Sequence, residues 1–428
     1  MNLINNEKLA INGGTKTIKK PFKKYNSIGI EELNSAKSVI ESGILSQYLG
    51  KWGPDFFGGP KVKEFESDCK KFFNVKHAIT VNSWTSGLVA AVGAIGIEPG
   101  DEVIVPTWTM CATATAILHW NAIPVFADIE DETFCISTES IEKNISKYTK
   151  AIITVDIGGH PSNTKKINQI AKKYNLKVIS DSAQAPGALD NGRFAGTLTD
   201  IGGYSLNCHK HIHTGEGGIL VTNDDLLAER MYLIRNHAEA SVGDMNIENL
   251  SNMLGHNFRL GEIECAIGIE QLKKLDSFLN TRRSAAEKLT TSLGKLKGLI
   301  TPIVKKGYTH SYYMFFMKIN EEITGVSRDK LYDALIAEGI QGLNKKFANL
   351  HLLPMYQKKI AYGNNGFPWQ SEFCKRDINY KKGICPVAER LHDKTYIGFE
   401  MCRFELLDED INNIIKAFYK VWNNLDNL

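Results

Sequence analysis

The stretch Val103-Ile-Val-Pro-Thr-Trp-Thr-Met-Cys-Ala-Thr-Ala-Thr-Ala-Ile-Leu-His-Trp-Asn-Ala-Ile-Pro-Val-Phe-Ala127 reads as one strand, one helix and a second strand. Val103-Ile-Val105 is a short apolar run closed by Pro106, which cannot donate to a ladder. Residues 111–119 carry an apolar helical pattern, and 123–127 are again a buried-strand run. The same cycle surrounds this unit. Strand patterns lie at 78–81, 151–155 and 177–180, with helical patterns at 29–42, 61–74, 88–95, 138–145 and 163–174. Short apolar strands alternating with helices argue for βαβ units and a mostly parallel sheet covered on both faces. The fold class is therefore α/β.

From about Thr281 the pattern changes. A charged helix over about 281–297 leads to a strand at 312–319, a helix at 327–338 and a final helix at 408–424, an α+β arrangement. The boundary is placed at 285, giving a large domain with an N-terminal arm over 1–285 and a small domain over 286–428. Residues 341–383, rich in Asn, Gly, Lys and aromatics, read as loops that shape the acceptor site.

A chain of 428 residues with a net charge of +3 gives no warrant for a nucleic-acid partner. No run approaches the length of apolar residues that spans a membrane, and the N-terminus lacks the apolar core of a signal peptide. The eight cysteines are scattered, without a CxxC pair, and read as reduced residues of a cytoplasmic protein.

Ligands of open parallel sheets bind beyond the carboxyl ends of strands, so residues that follow strands are the candidates. Asn82-Ser-Trp-Thr-Ser-Gly87 follows 78–81 and opens a helix; its hydroxyls and free N–H groups suit a phosphate, or serve simply as helix caps. Asp181 follows 177–180 and needs a partner there: a ring N–H, a metal or a helix N-terminus. Lys210 stands before Gly215, Gly217, Gly218 and the apolar Ile219-Leu-Val221. Withdrawn from water it would act as a free amine; at a loop tip its charge would stay in solvent. His209, His211 and His213 alternate, but no carboxylate sits at ligand spacing among them, so no metal site is assigned.

The order of these signals, with Gly100-Asp-Glu-Val-Ile-Val-Pro106, Pro124-Val-Phe-Ala-Asp-Ile129, His256-Asn-Phe-Arg259 and Gly268-Ile-Glu-Gln-Leu272, resembles the DegT/DnrJ/EryC1/StrS family of sugar aminotransferases. The likeness runs from about Gly29 to Leu425. It implies the aspartate-aminotransferase fold (pyridoxal-phosphate fold type I) and pyridoxal 5'-phosphate as cofactor, with pyridoxamine 5'-phosphate formed in turnover. By position, the resemblance makes Lys210 the catalytic lysine that holds the cofactor as a Schiff base and moves protons. It makes Asp181 the partner of the pyridine nitrogen and places Gln184 near the ring oxygen. Thr85, Ser86 and Ser205 match the phosphate site, and Asn257 matches an asparagine contributed by a neighbouring subunit, which implies a homodimer with a shared site.

The chain departs from the family in two places. Trp84 stands where the family turn has Gly or Ala, and either shapes the pocket or packs into the sheet core. Met110 stands where the family has an aromatic on the ring, with Trp108 the other candidate for that role. Trp84, Trp108, Arg259, His310 and Tyr313 are taken as substrate contacts, each with core packing or ion pairing as the alternative. The implied reaction moves an amino group from glutamate or glutamine to a keto-sugar, most often nucleotide-linked, or to a keto-cyclitol. Dehydratase branches of the family replace the lysine by histidine, whereas Lys210 is retained here. A non-catalytic regulator on the same fold would show degenerate cofactor positions or an added DNA-binding segment.

Overall fold

The computed structural model describes residues 7–428. Seven strands form the main sheet: β1 (His77–Val81), β2 (Glu102–Pro106), β3 (Ile123–Ala127), β4 (Thr149–Val155), β5 (Lys177–Asp181), β6 (Ile201–Ser205) and β7 (Gly218–Thr222). Their spatial order is β1-β7-β6-β5-β4-β2-β3. Strand β7 runs antiparallel to both its neighbours, and the other pairs are parallel. Six strands therefore point the same way, and Val81, Asp181 and Ser205 end at one edge of the sheet. β2, β3, β6 and β7 are buried at every position, as apolar runs covered on both faces must be.

Helices α1 (Ile30–Ser42), α2 (Pro60–Phe73), α3 (Trp84–Ala94), α4 (Ala112–His119), α5 (Thr138–Asn144), α6 (Thr164–Tyr174) and α7 (Asp225–Arg235) accompany this sheet. α3 begins at Trp84, a turn before the expected Leu88, because the Ser83 hydroxyl accepts from the Ser86 N–H and caps the helix there. Strand β6 lies outside the strands read from the sequence. Its Gly202 and Gly203 weaken the local strand signal, and they are there because other backbone and the Trp84 ring approach within contact distance.

A buried ion pair locks β1 between α2 and α7. Arg235 Nη1 donates to Glu66 Oε1 at 2.7 Å, and the same oxygen accepts from the Thr80 N–H and hydroxyl at 2.9 Å each. Both side chains are almost wholly out of water, and the guanidinium lies 5.0 Å from the ring centroids of Tyr48 and Tyr232. Glu66→Ala strands that cation and is expected to cost about 3–5 kcal/mol of stability. Denaturant midpoints at unchanged m-value check this, and a loss under about 1 kcal/mol would contradict it.

α8 (Glu262–Leu293) begins well before the expected 281. Its first half packs on α1 and α2, and its last turns enter a second hydrophobic cluster through Ala285, Ala286, Leu289 and Leu293. That cluster lies on a four-stranded antiparallel sheet of β8 (Leu299–Ile300), β9 (Phe315–Ile319), β10 (Leu343–Asn344) and β11 (Tyr396–Phe399), ordered β8-β9-β11-β10. α9 (Arg328–Ala337) and α10 (Asp408–Trp422) cover it. The N-terminal arm packs here too, with Leu9, Ile18 and Phe22 in this second cluster.

Residues 341–383 are more ordered than a loop reading implies. They contain β10 and short helical turns, and bury Tyr356, Trp369 and Tyr380 against Phe126 of the edge strand β3. Tyr380 donates its hydroxyl to Pro124 O at 2.6 Å and accepts from Trp369 Nε1 at 2.9 Å. An uncovered edge strand is a pairing hazard, and this aromatic segment covers one.

Candidate active site

A cavity of about 440 Å³ opens at the carboxyl edge of the main sheet. Asp181 reaches it from the end of β5 and is buried, with 5% exposure. Its Oδ1 accepts from Trp84 Nε1 at 2.7 Å and from the Ala183 N–H at 3.2 Å; its Oδ2 accepts from the Thr113 hydroxyl at 2.8 Å. Burial pushes the carboxyl up from its ordinary range, while Thr113, Trp84, Ala183 and the charge on Lys210 pull it down.

Lys210 enters from the loop joining β6 to antiparallel β7. That loop is drawn closed by Leu206 N to Gly217 O and Cys208 N to Gly215 O, both at 2.9 Å. The Lys210 amine lies 4.3 Å from the centroid of the Tyr313 ring. Burial lowers its pKa, and Asp181 opposes the shift. A lowered pKa means a larger share of free amine at neutral pH than a surface lysine has. In apo protein at neutral pH, Lys210 is therefore expected to react first with an amine-directed acylating reagent. Peptide mass mapping at short times checks this; labelling no faster than at surface lysines such as Lys51 would oppose it.

Gln184 is oriented by its neighbours. Its Oε1 accepts from the Gly158 N–H at 2.8 Å, which leaves the amide NH₂ as the group available to a ligand. The turn that carries it is held by Asp156, a buried carboxylate at the end of β4 that accepts from Ser182 Oγ at 2.5 Å and from the Ser162 N–H at 2.7 Å. Ser205 and Thr85 line the cavity beside the N-terminus of α3, whose first N–H groups lack helical partners.

Trp84, Thr85, Met110, Asp181, Gln184, Ser205, Lys210 and Tyr313 thus share one cavity. Five expected residues lie elsewhere. Trp108 is corrected: it is fully buried in an aromatic cluster, stacked on Phe347 at 5.1 Å and edge-on to Tyr396 at 5.2 Å, and has no face on the cavity. Of the two side chains considered for the ring face, Met110 alone borders the cavity, with 57% exposure. His310 is also corrected. It is buried, accepts the Tyr312 N–H on Nδ1 at 2.8 Å and stacks on Tyr312 at 4.2 Å. It braces the turn where Tyr312 adopts φ 53°, and that turn breaks the expected 312–319 strand and carries Tyr313 to Lys210.

Ser86 sits in the Ser83–Gly87 turn but off the cavity, its hydroxyl donating to Asn82 Oδ1 at 2.7 Å. Arg259 donates to Asn257 Oδ1 at 2.7 Å, and both lie outside the cavity of their own chain. Asn257 O accepts from Asn82 Nδ2 at 3.2 Å, which ties this exposed segment to the turn that opens α3. His209 borders the cavity, while His211 is fully buried with Nε2 on Ser311 O at 2.8 Å. No group of three metal-binding side chains occurs among the described residues.

Asp156, Thr113 and the Trp84–Asp181 contact were not read from the sequence as parts of the site. Asp156 carried a readable signal, since it too is a carboxylate at the end of a buried strand. Thr113 and the indole contact carried none, because they depend on how distant elements are brought together.

The residues present fit pyridoxal phosphate. An amine, a buried carboxylate with a lone pair remaining, an amide donor and a hydroxyl-lined helix N-terminus surround one cavity. The model of the DegT/DnrJ/EryC1/StrS aminotransferase family matches residues 50–389. The chain belongs to that family. It is a pyridoxal-phosphate-dependent aminotransferase of fold type I. Among its relatives, the spore coat polysaccharide biosynthesis protein SpsC of Bacillus subtilis is 32% identical, over 82% of this chain and 89% of that protein. GDP-perosamine synthase of Vibrio cholerae is 32% identical over 76% and 87%. The L-glutamine:2-deoxy-scyllo-inosose aminotransferase of Streptoalloteichus tenebrarius is 29% identical over 96% and 97%. The crystal structure of an aminotransferase from Psychrobacter cryohalolentis superposes with a TM-score of 0.79 at 25% identity, over 95% of this chain and all of that one.

Proposed function

We propose that this aminotransferase moves an amino group from glutamate or glutamine to the keto carbon of a nucleotide-linked sugar, with Lys210 as the residue that carries the cofactor and shuttles the proton. The observation that carries this reading is the convergence of Lys210, Asp181 and Gln184 on one cavity bordered by the α3 N-terminus. Bound pyridoxal phosphate supplies a protonated ring that accepts the electron pair left when the donor's α proton is removed. Asp181 would keep the ring nitrogen protonated, the Gln184 amide would donate to the ring oxygen, and Thr85 with Ser205 and the helix N-terminus would hold the phosphate. The Lys210 amine, poised by burial, removes the proton and returns it to the neighbouring carbon. GDP-perosamine synthase among the relatives supports a nucleotide-linked acceptor. The scyllo-inosose aminotransferase, matched over nearly its full length, supports a keto-cyclitol as the second reading.

The active unit of this reading is a homodimer in the cytoplasm, in which Asn257 of each copy serves the other's phosphate site. Ile30, Leu33 and Ile40 of α1, with Leu45 and Leu49, expose 51–61% of their area, an apolar surface that suits a second copy. The cysteines among the described residues are free thiols, and no described helix is long and apolar enough to cross a membrane.

Purified enzyme with glutamate or glutamine and a panel of keto-sugar nucleotides and keto-cyclitols tests the reading. Aminated product equal to the donor consumed is expected. Product lacking nitrogen would replace it with dehydratase chemistry, and sedimentation as a monomer would remove the shared site.

A further inference from the structure

The residue that departs most from the family pattern, Trp84, makes the shortest hydrogen bond to Asp181. It is the first residue of α3, 6% exposed, and its indole N–H donates to Asp181 Oδ1 at 2.7 Å. A buried indole N–H requires an acceptor, and this one reaches a carboxylate 97 residues away in sequence.

The space for the indole is built into the sheet. Gly203 is the cross-strand partner of Asp181. A Cβ at Gly203 would stand 2.3 Å from Trp84 Cζ3 and 2.4 Å from Cη2. A Cβ at Gly87, one turn along α3, would stand 2.8 Å from Cε3. Contacts that short are excluded for real side chains, so both positions are bare where the indole passes. The second carboxylate oxygen is held from another element, by Thr113 of α4 at 2.8 Å. Two neutral donors on Oδ1, the indole and the Ala183 N–H, and one on Oδ2 fix the plane of the carboxylate and leave a lone pair free on Oδ2.

We propose that Trp84 is a positioning residue, whose indole N–H clamps the Asp181 carboxylate in the orientation that receives the cofactor's ring nitrogen. The inference rests on the cofactor reading above. It assigns to one side chain of the phosphate turn a second task at the opposite end of the ring. The electrostatics agree in sign: burial raises the Asp181 carboxyl, the donors from Thr113, Trp84 and Ala183 lower it, and Lys210 is the charged group whose field reaches it.

Trp84→Phe removes the N–H and keeps an aromatic ring in the slot. Cofactor binding, followed by equilibrium dialysis of the apo protein, is expected to weaken about ten- to hundredfold, the range for a hydrogen bond to a charged group. The acid limb of binding should move to higher pH, because Asp181 loses a donor that favours its ionised form. A purely structural Trp84 predicts cofactor affinity and pH profile unchanged in Trp84→Phe, and that result overturns the proposal.

A second measurement needs neither cofactor nor a folded Trp84 variant. In apo protein labelled with ¹⁵N-tryptophan, one of the six indole N–H signals is expected to shift between wild type and Asp181→Ala. Six unmoved signals would also overturn the proposal. Wild-type protein that binds no pyridoxal phosphate, and is not trapped on Lys210 by borohydride, would instead defeat the cofactor reading while leaving the indole measurement valid.

Discussion

Lys210→Ala is expected to reduce transamination about 10²–10⁴-fold from the loss of proton transfer alone, the range for a positioned general base. No other described amine lines the cavity to take its place. The substitution also removes the amine that forms the covalent link. The visible absorbance of the lysine-bound cofactor and the borohydride-trapped peptide should therefore both vanish. Stability should change little, because the Lys210 ammonium makes a ring contact with Tyr313 rather than a buried ion pair. An unchanged visible band in Lys210→Ala would refute the assignment. Added small primary amines should restore part of the proton transfer, since the space left open lies within the cavity.

Asp181→Asn is expected to weaken cofactor binding and slow turnover at least about a hundredfold, near the upper range for losing a hydrogen bond to a charged group. The amide keeps the carboxylate's shape, and its oxygen can still accept from one of the two side-chain donors, Trp84 or Thr113. What it lacks is the negative charge that, in the proposed reading, would keep the ring nitrogen protonated. Asn also brings an NH₂ to face one of those donors, so a small loss of stability accompanies the change. Turnover and cofactor affinity measured together decide the matter. Wild-type values for both in Asp181→Asn would show that the ring is held by another group.

Much of the site was legible because catalytic residues of an open parallel sheet follow strand ends, and strand ends are written locally. Asp181 after β5 and the Ser/Thr turn after β1 were placed by that rule alone. Lys210 was readable as unusual from its glycines, and became the candidate cofactor lysine only through the ordered likeness to a family. The errors share one cause. Trp108 and His310 are large, partly polar side chains next to a site in sequence, and sequence distance does not tell which side of the backbone they take. Trp108 turned to the core against Phe347 and Tyr396, and His310 was spent on bracing its own turn. The aromatic residues of 341–383 read as loop because their burial depends on the edge of β3, which no local pattern announces.

The sequence by itself determined the alternation of strands and helices, the mostly parallel sheet and the candidates for the chemistry, Lys210 and Asp181. Periodicity and turn residues record which local backbone is buried, and those features need no knowledge of partners. The tertiary structure decided what holds the carriers in place. Strand order β1-β7-β6-β5 sets the turn after β1 two strands away from the lysine loop's entry and three from Asp181, close enough for an indole to span. Tyr313 arrives from the segment leading into β9 of the second sheet, and Thr113 from a helix 68 residues before its acceptor. Contacts at such separations depend on the order in which strands assemble. Trp84 therefore reads as a departure in the sequence and as a hydrogen-bond donor to Asp181 in the fold.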